Sequence, residues 1–230
     1  TWFQLADINV GASARAIAFE PGNAQTVYAG GGDGAGLYKS TNGGTTWTKI
    51  PLPEEIPLPE DIAEIIDPGD VLLYDIEFVD DQHGWIVGEV GHLFFTADGG
   101  QTWTQQRTAT RKSLFGVHVA DRDHAWAVGL DGEIWRLAGG GWEQIPSGVS
   151  TALYDVQMDE QNGWVVGDNG TAIITEDGGA SWRNVNIPDD LRLFWMHSIS
   201  LTVADDAARG LIAGANGLLL WIRNGQITTN

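Results

Sequence analysis

Apolar and polar positions alternate along this chain in short runs, and the runs recur. Ala16-Ile17-Ala18-Phe19, Asp75-Ile76-Glu77-Phe78, Gly116-Val117-His118-Val119, Asp155-Val156-Gln157-Met158 and Ser198-Ile199-Ser200-Leu201 each carry an apolar side chain at every second residue. Period two predicts half-buried β-strands. A second set of runs ends in glycine: Thr26–Gly30, Gly84–Gly88, Ala125–Gly129, Gly163–Gly167 and Gly210–Gly214. A turn through Gly91, Gly132, Gly170 or Gly217 then leads to a third set: Leu37–Lys39, Leu93–Phe95, Glu133–Trp135, Ala172–Ile174 and Leu218–Trp221. After the third run comes a Gly-Gly turn, and a fourth run that opens on Trp. Four short antiparallel strands in a unit of about 40 residues predict a β-propeller blade.

The turn between the third and fourth runs is the sharpest repeat. It reads Ser40-Thr41-Asn42-Gly43-Gly44-Thr45-Thr46-Trp47, Thr96-Ala97-Asp98-Gly99-Gly100-Gln101-Thr102-Trp103 and Thr175-Glu176-Asp177-Gly178-Gly179-Ala180-Ser181-Trp182. A degraded copy is Ala138-Gly139-Gly140-Gly141-Trp142. Asp-Gly and Asn-Gly between apolar runs signal a tight hairpin, because these residues tolerate positive φ. The Ser or Thr hydroxyl and the Asp carboxylate can accept bonds from the turn's own N–H groups. Asn42, Asp98 and Asp177 are therefore assigned to the turn, with Trp47, Trp103 and Trp182 folded over it, and no catalytic or metal role is given to them.

Counting these tryptophans predicts the closure. Trp47, Trp103, Trp142 and Trp182 open four outgoing strands, and the fifth repeat ends at Trp221–Gly225 without one. Thr1-Trp2-Phe3-Gln4-Leu5 matches Thr46–Ile50 with its turn removed. The expectation is an all-β, five-bladed β-propeller of four-stranded antiparallel blades. The N-terminal strand would close the last blade and remove an exposed edge. Residues 1–230 would form a single domain, with an insertion at about 51–70. The competing reading is a stretch of a six- or seven-bladed ring.

Composition narrows the function. Asp and Glu number 31 against 12 Lys and Arg, a formal net charge of −19. That excludes a general nucleic-acid binder and electrostatic attachment to anionic lipid. No apolar run reaches the length of a membrane span, and no signal peptide is visible. With no cysteine there is neither a disulfide framework nor a thiolate metal site. No nucleotide loop, nucleophile elbow or zinc signature is present, and no cofactor is expected. His83 and His124 fall on equivalent turns, so their spacing is that of the repeat.

Candidate chemistry lies on the face opposite the Asp-Gly turns, where the repeats vary. The link after the first repeat carries the Pro-Leu-Pro-Glu-acid-Ile pattern twice and holds Glu54, Glu55, Glu60 and Asp61. It reads either as an acidic partner-binding arm or as a rigid insertion. The next link holds Arg107, Arg111 and Lys112, the densest basic cluster, suited to an acidic partner or to balancing the acidic link. Arg15, Tyr74, Phe115, Tyr154 and His197 open the innermost strands, where a central channel would begin. They form either a ligand-binding ring or a plug of aromatic side chains.

The repeats resemble the Asp-box (BNR) repeat, Ser/Thr-x-Asp-x-Gly-x-Thr/Ser-Trp, with Thr96–Trp103 and Thr175–Trp182 as full matches and Asn42 as the one departure in Ser40–Trp47. Gly84-Trp85-Ile86-Val87-Gly88 followed by Asp98–Trp103 is similar to the photosystem II stability/assembly factor family. That resemblance implies a non-enzymatic propeller on the lumenal or periplasmic side, binding a protein partner of a membrane complex. The family typically has seven blades, against the five read here. It also carries an arginine-rich patch, for which Arg107 and Arg111 are the candidates. Asp-box repeats also occur in sialidases, which makes a glycan-binding or sialidase-like propeller the alternative. Of the sialidase machinery, Arg15 lies near the expected channel and Asp75 and Asp155 form a candidate carboxylate pair, but the Arg-Ile-Pro signature is absent. The expected location is extracytoplasmic: periplasmic, lumenal or secreted.

Overall fold

A computed structural model describes residues 14–31, 36–53, 72–106, 108–159, 161–204, 207–223 and 225–228. The N-terminal strand Thr1–Leu5, the acidic residues Glu54, Glu55, Glu60 and Asp61, and Arg107 lie outside them. The chain divides into two compact units, Thr1–Ser113 and Leu114–Asn230.

Each repeat is a four-stranded sheet whose strands pair with their neighbours in chain order, all antiparallel. The first unit contains sheet one, β1 (Ala14–Glu20), β2 (Asn23–Gly31), β3 (Gly36–Ser40) and β4 (Thr48–Ile50). Its sheet two is β5 (Leu73–Phe78), β6 (Gly84–Gly88), β7 (Leu93–Thr96) and β8 (Thr104–Gln105). In the second unit, sheet three is β9 (Leu114–Asp121), β10 (His124–Gly129), β11 (Ile134–Ala138) and β12 (Gly141–Ile145). Sheet four is β13 (Leu153–Asp159), β14 (Asn162–Gly167), β15 (Ala172–Thr175) and β16 (Arg183–Asn184). Sheet five is β17 (Met196–Ala204), β18 (Ala207–Gly214), β19 (Leu219–Arg223) and β20 (Gln226–Thr228). Among the described residues the only helical segments are short 3₁₀ turns.

The second strands are buried along their apolar stretch, which explains their continuous runs. Within the first unit, Tyr28 and Leu37 of sheet one share a core with Ile76, Phe78 and Trp103 of sheet two. The Tyr28 and Phe78 rings stack at 4.5 Å. In the second unit Trp126 and Ile134 meet Val156 and Met158, and Trp164, Ala172 and Ile174 meet Ile199 and Ile212. Within each unit, a sheet thus sets its second and third strands on the first strand of the next.

Two sheet faces break this pattern. Ile17 and Phe19 hold the repeat positions of Ile76 and Phe78, yet are 57% and 58% exposed. On β19, Leu219 and Trp221 are 58% and 37% exposed, whereas their counterparts on β15, Ala172 and Ile174, are buried.

The expected closing strand needs correction. The place beside β19 is taken by β20, with Trp221 opposite Thr228 and Ile222 opposite Ile227. A tight turn through Gly225 (φ 72°) makes this pairing local. The fifth repeat lacks the Trp that marks the other outgoing strands, so counting tryptophans passed over a strand that carries only Ile227.

Candidate functional site

The five residues expected at a channel mouth share one backbone device. In each first strand the pairing register slips by one residue, and the residue skipped is the candidate. Leu73 pairs with Gly88 and Asp75 with Val87, leaving Tyr74 unpaired as a β-bulge. The same slip leaves out Arg15, Phe115, Tyr154 and His197. A bulge re-aims its side chain away from the strand's regular alternation. In sheets two, four and five the glycine ending the second strand lets the carbonyl two residues before the bulge approach closely. A Cβ on Gly88 would lie 2.5 Å from the Leu72 carbonyl oxygen, a contact no side chain tolerates.

In the first unit the Arg15 guanidinium carbon stands 5.5 Å from the centre of the Tyr74 ring, within cation–π range. Burial raises the Tyr74 pKa first, and Glu89 adds to it against the opposing charge of Arg15 and a hydrogen bond with Ser113. In the second unit the bulged side chains form a row. Phe115 meets Tyr154 at 5.5 Å, and Tyr154 stacks on His197 at 5.0 Å and 29°. Trp195 then meets His197 at 5.9 Å and 81°. Burial, followed by the field of Asp168, raises the Tyr154 pKa.

Trp195 belongs to the link between sheets four and five and was not singled out from the sequence. It is 52% exposed and its neighbour Leu193 is 86% exposed. The link folds over buried Ile187 and Leu191, and the Gly170 N–H donates to the Phe194 carbonyl at 2.7 Å. That bond fastens the Asp168–Gly170 turn to the link. The run Leu193-Phe194-Trp195, with no polar residue in it, was the signal available in the sequence.

The Asp-Gly turns are closed by their own side chains. Asp98 Oδ1 accepts from Thr96 Oγ1 at 2.8 Å and from the Gln101 and Thr102 N–H groups, each at 2.9 Å. Its Oδ2 accepts the Thr102 hydroxyl at 2.6 Å. Burial pushes the Asp98 pKa up, but these bonds outweigh it and hold the carboxyl below its usual range. Asp177 makes the same set, and its pKa is lowered to about 2, first by the Ser181 hydroxyl. Gly100 brings the turn against sheet one. Its φ is +69°, and a Cβ there would lie 2.6 Å from the Tyr28 ring.

The remaining candidates are spread out. Arg111 is exposed and Lys112 half-buried. His83 and His124 each bond through Nδ1 to the aspartate three residues earlier, Asp80 and Asp121, at 2.9 Å. Asp155 braces sheet four to sheet five, its two oxygens accepting the Val156 and Ile199 N–H groups, each at 2.8 Å. Asp75 accepts the Ile76 N–H at 2.9 Å. A cleft of about 830 Å³ between sheets three and four is lined by His118, Asp121, His124, Arg136 and Asp159. The short Ala138–Trp142 turn is the sequence signal nearest to it.

The repeated four-stranded sheets and the Asp-box turns define a BNR-type β-propeller protein. A family model described as photosynthesis system II assembly factor YCF48 matches residues 60–132 and 136–228, more than half of the chain, and the chain belongs to this family. The photosystem II stability/assembly factor HCF136, chloroplastic, of Guillardia theta is 40% identical over 77 residues, which is 32% of this chain and 16% of that protein. The solved structure of YCF48 from Cyanidioschyzon merolae superposes with a TM-score of 0.62 at 16% identity, covering 96% of this chain and 70% of that one. An ancestral GH74 enzyme superposes with a TM-score of 0.72 at 17% identity, over 96% of this chain and 31% of that chain. At such identities the two structures share the fold.

Proposed function

We propose that this chain is a non-catalytic, protein-binding assembly factor that holds a segment of a membrane-complex subunit, acting on the extracytoplasmic side, in a lumen, a periplasm or outside the cell. Membership of the assembly-factor family supports the class. The observation that carries the site is the exposed pair Leu193 and Trp195 beside the row of bulged aromatic residues. Large apolar side chains held open on a link, next to ordered rings, are what a protein interface needs at its centre. Arg111 and Lys112 are offered as a second contact for acidic groups of the partner. The two units are read as consecutive blades of one propeller domain, five blades in all.

The test is complementation. The chain, supplied to a photosynthetic host lacking its own YCF48, is expected to restore photosystem II accumulation, read as oxygen evolution. A Leu193→Asp/Trp195→Asp variant is expected to fail while melting at an unchanged temperature. Full rescue by the variant would move the site elsewhere, and no rescue by the wild-type chain would oppose the assembly reading.

A further inference from the structure

We propose that the aromatic row of the second unit binds a cationic side chain, an arginine or lysine of the protein partner, on the Trp195 indole beside the Asp168 turn. This rests on the protein-binding reading above and names the chemistry of the group received.

The repeat itself supplies the precedent. At the equivalent bulge in the first unit, a guanidinium already sits over a ring, Arg15 on Tyr74 at 5.5 Å. Arg223 stands over Trp221 at 5.4 Å in sheet five. In the second unit the bulge positions are Phe115, Tyr154 and His197, so the row is built of rings and no residue of it is an arginine. Tyr154 is flanked on both sides, by Phe115 and by stacked His197. Trp195 ends the row at 81° to His197 and is 52% exposed, which leaves indole surface open to solvent.

Carboxylates outnumber cations around the row. Asp168 is close enough to Tyr154 to raise its pKa, and its turn is tied to the link by the Gly170–Phe194 bond of 2.7 Å. Asp189 and Asp190 lie on the link itself, and Arg192, its one basic residue, is held by Asp189 at 3.1 Å. His197 is the further titratable group in the row. An indole face near carboxylates is the setting in which a cation gains most from a ring, and an arginine gains more than a lysine because its flat group stacks. The net charge of −19 steers basic segments toward the chain as a whole. Leu193, 86% exposed, is the apolar neighbour for the rest of such a segment.

The experiment is a titration of the full chain with three fluorescein-labelled hexapeptides, rich in Arg, in Lys and in Glu, read by anisotropy at two salt concentrations. The Arg peptide is expected to bind tightest, the Lys peptide more weakly and the Glu peptide not at all. Trp195→Leu keeps the net charge and an apolar side chain, and is expected to weaken Arg-peptide binding about five-fold, matching roughly 1 kcal/mol for an exposed cation–π contact. Trp195→Phe should retain most of the affinity, and Asp168→Asn should lose part of it. If Trp195→Leu binds as the wild type does, the attraction is only that of net charge and the proposal fails. It also fails if the Arg peptide does not bind. If, in either case, complementation still depends on Leu193 and Trp195, the protein-binding reading stands and only the cation assignment falls.

Discussion

Tyr28 offers the sharpest quantitative check on how the sheets are locked together. Its hydroxyl donates to the Gly99 carbonyl at 2.5 Å, and Lys39 Nζ donates to the same oxygen at 2.7 Å. The side chain is fully buried and joins sheet one to the Asp-Gly turn of sheet two. Tyr28→Phe removes one donor and leaves the carbonyl with the other, so the expected cost is about 1 kcal/mol, that of one net hydrogen bond. Lys39→Met likewise leaves Tyr28 as donor and should cost about as much or less. The double variant strands a buried carbonyl, and desolvation then adds roughly 1–3 kcal/mol beyond the sum of the two. Urea unfolding followed by tryptophan fluorescence measures all four corners of the cycle, with unchanged m-values as the control. Additivity within about 0.5 kcal/mol would refute the shared acceptor. Alkaline titration adds a second readout. Burial first, then the fields of Glu20 and Asp98, raises the Tyr28 pKa. A raised folded-state pKa contributes stability present below the unfolded value, about 10, and lost as pH rises through the folded value. Wild-type stability should therefore fall above pH about 10, and Tyr28→Phe should flatten that fall in part, since Tyr74 and Tyr154 are shifted the same way.

Asp98→Ala should cost about 1–2 kcal/mol at neutral pH through its lost turn bonds, while Asp98→Asn should cost less than about 1, because Asn42 serves the same turn in the first repeat, accepting from the Thr46 N–H at 2.9 Å. Since the Asp98 pKa is lowered, its contribution is present above the unfolded value of about 3.9 and is lost as pH falls through the folded value; acid unfolding monitored by circular dichroism should show a smaller drop for Asp98→Asn than for wild type. Phe19→Ser should change the melting temperature little, whereas Phe78→Ser, at the covered counterpart, should cost about 3–5 kcal/mol. Equal costs would mean that the open face of β1 is covered in solution.

Much of the fold was legible because it is local. Period-two runs specify strands, Asp-Gly turns specify hairpins, and repetition specifies that the same meander forms again. The last strand was misassigned for the same reason: a count of tryptophans is blind to an outgoing strand that has none. For the candidate site, alignment of the repeats brought Arg15, Tyr74, Phe115, Tyr154 and His197 to one position without saying why that position is special. The reason is the register slip, which depends on pairing with a neighbouring strand and on a glycine opposite a carbonyl.

By itself, then, the chain's pattern determines the five repeats and their turns, since each follows from neighbours a few residues away. Tertiary structure alone decides which side chains are covered and which are open. Ile76 and Ile17 are the same residue at the same place in two repeats, one buried and one exposed, because among the described residues only Ile76 has a sheet packed on it. It also decides that Trp195, from a link with no repeat signature, comes to stand at the end of the aromatic row. Burial and convergence are properties of distant segments brought together, which a periodic pattern does not encode.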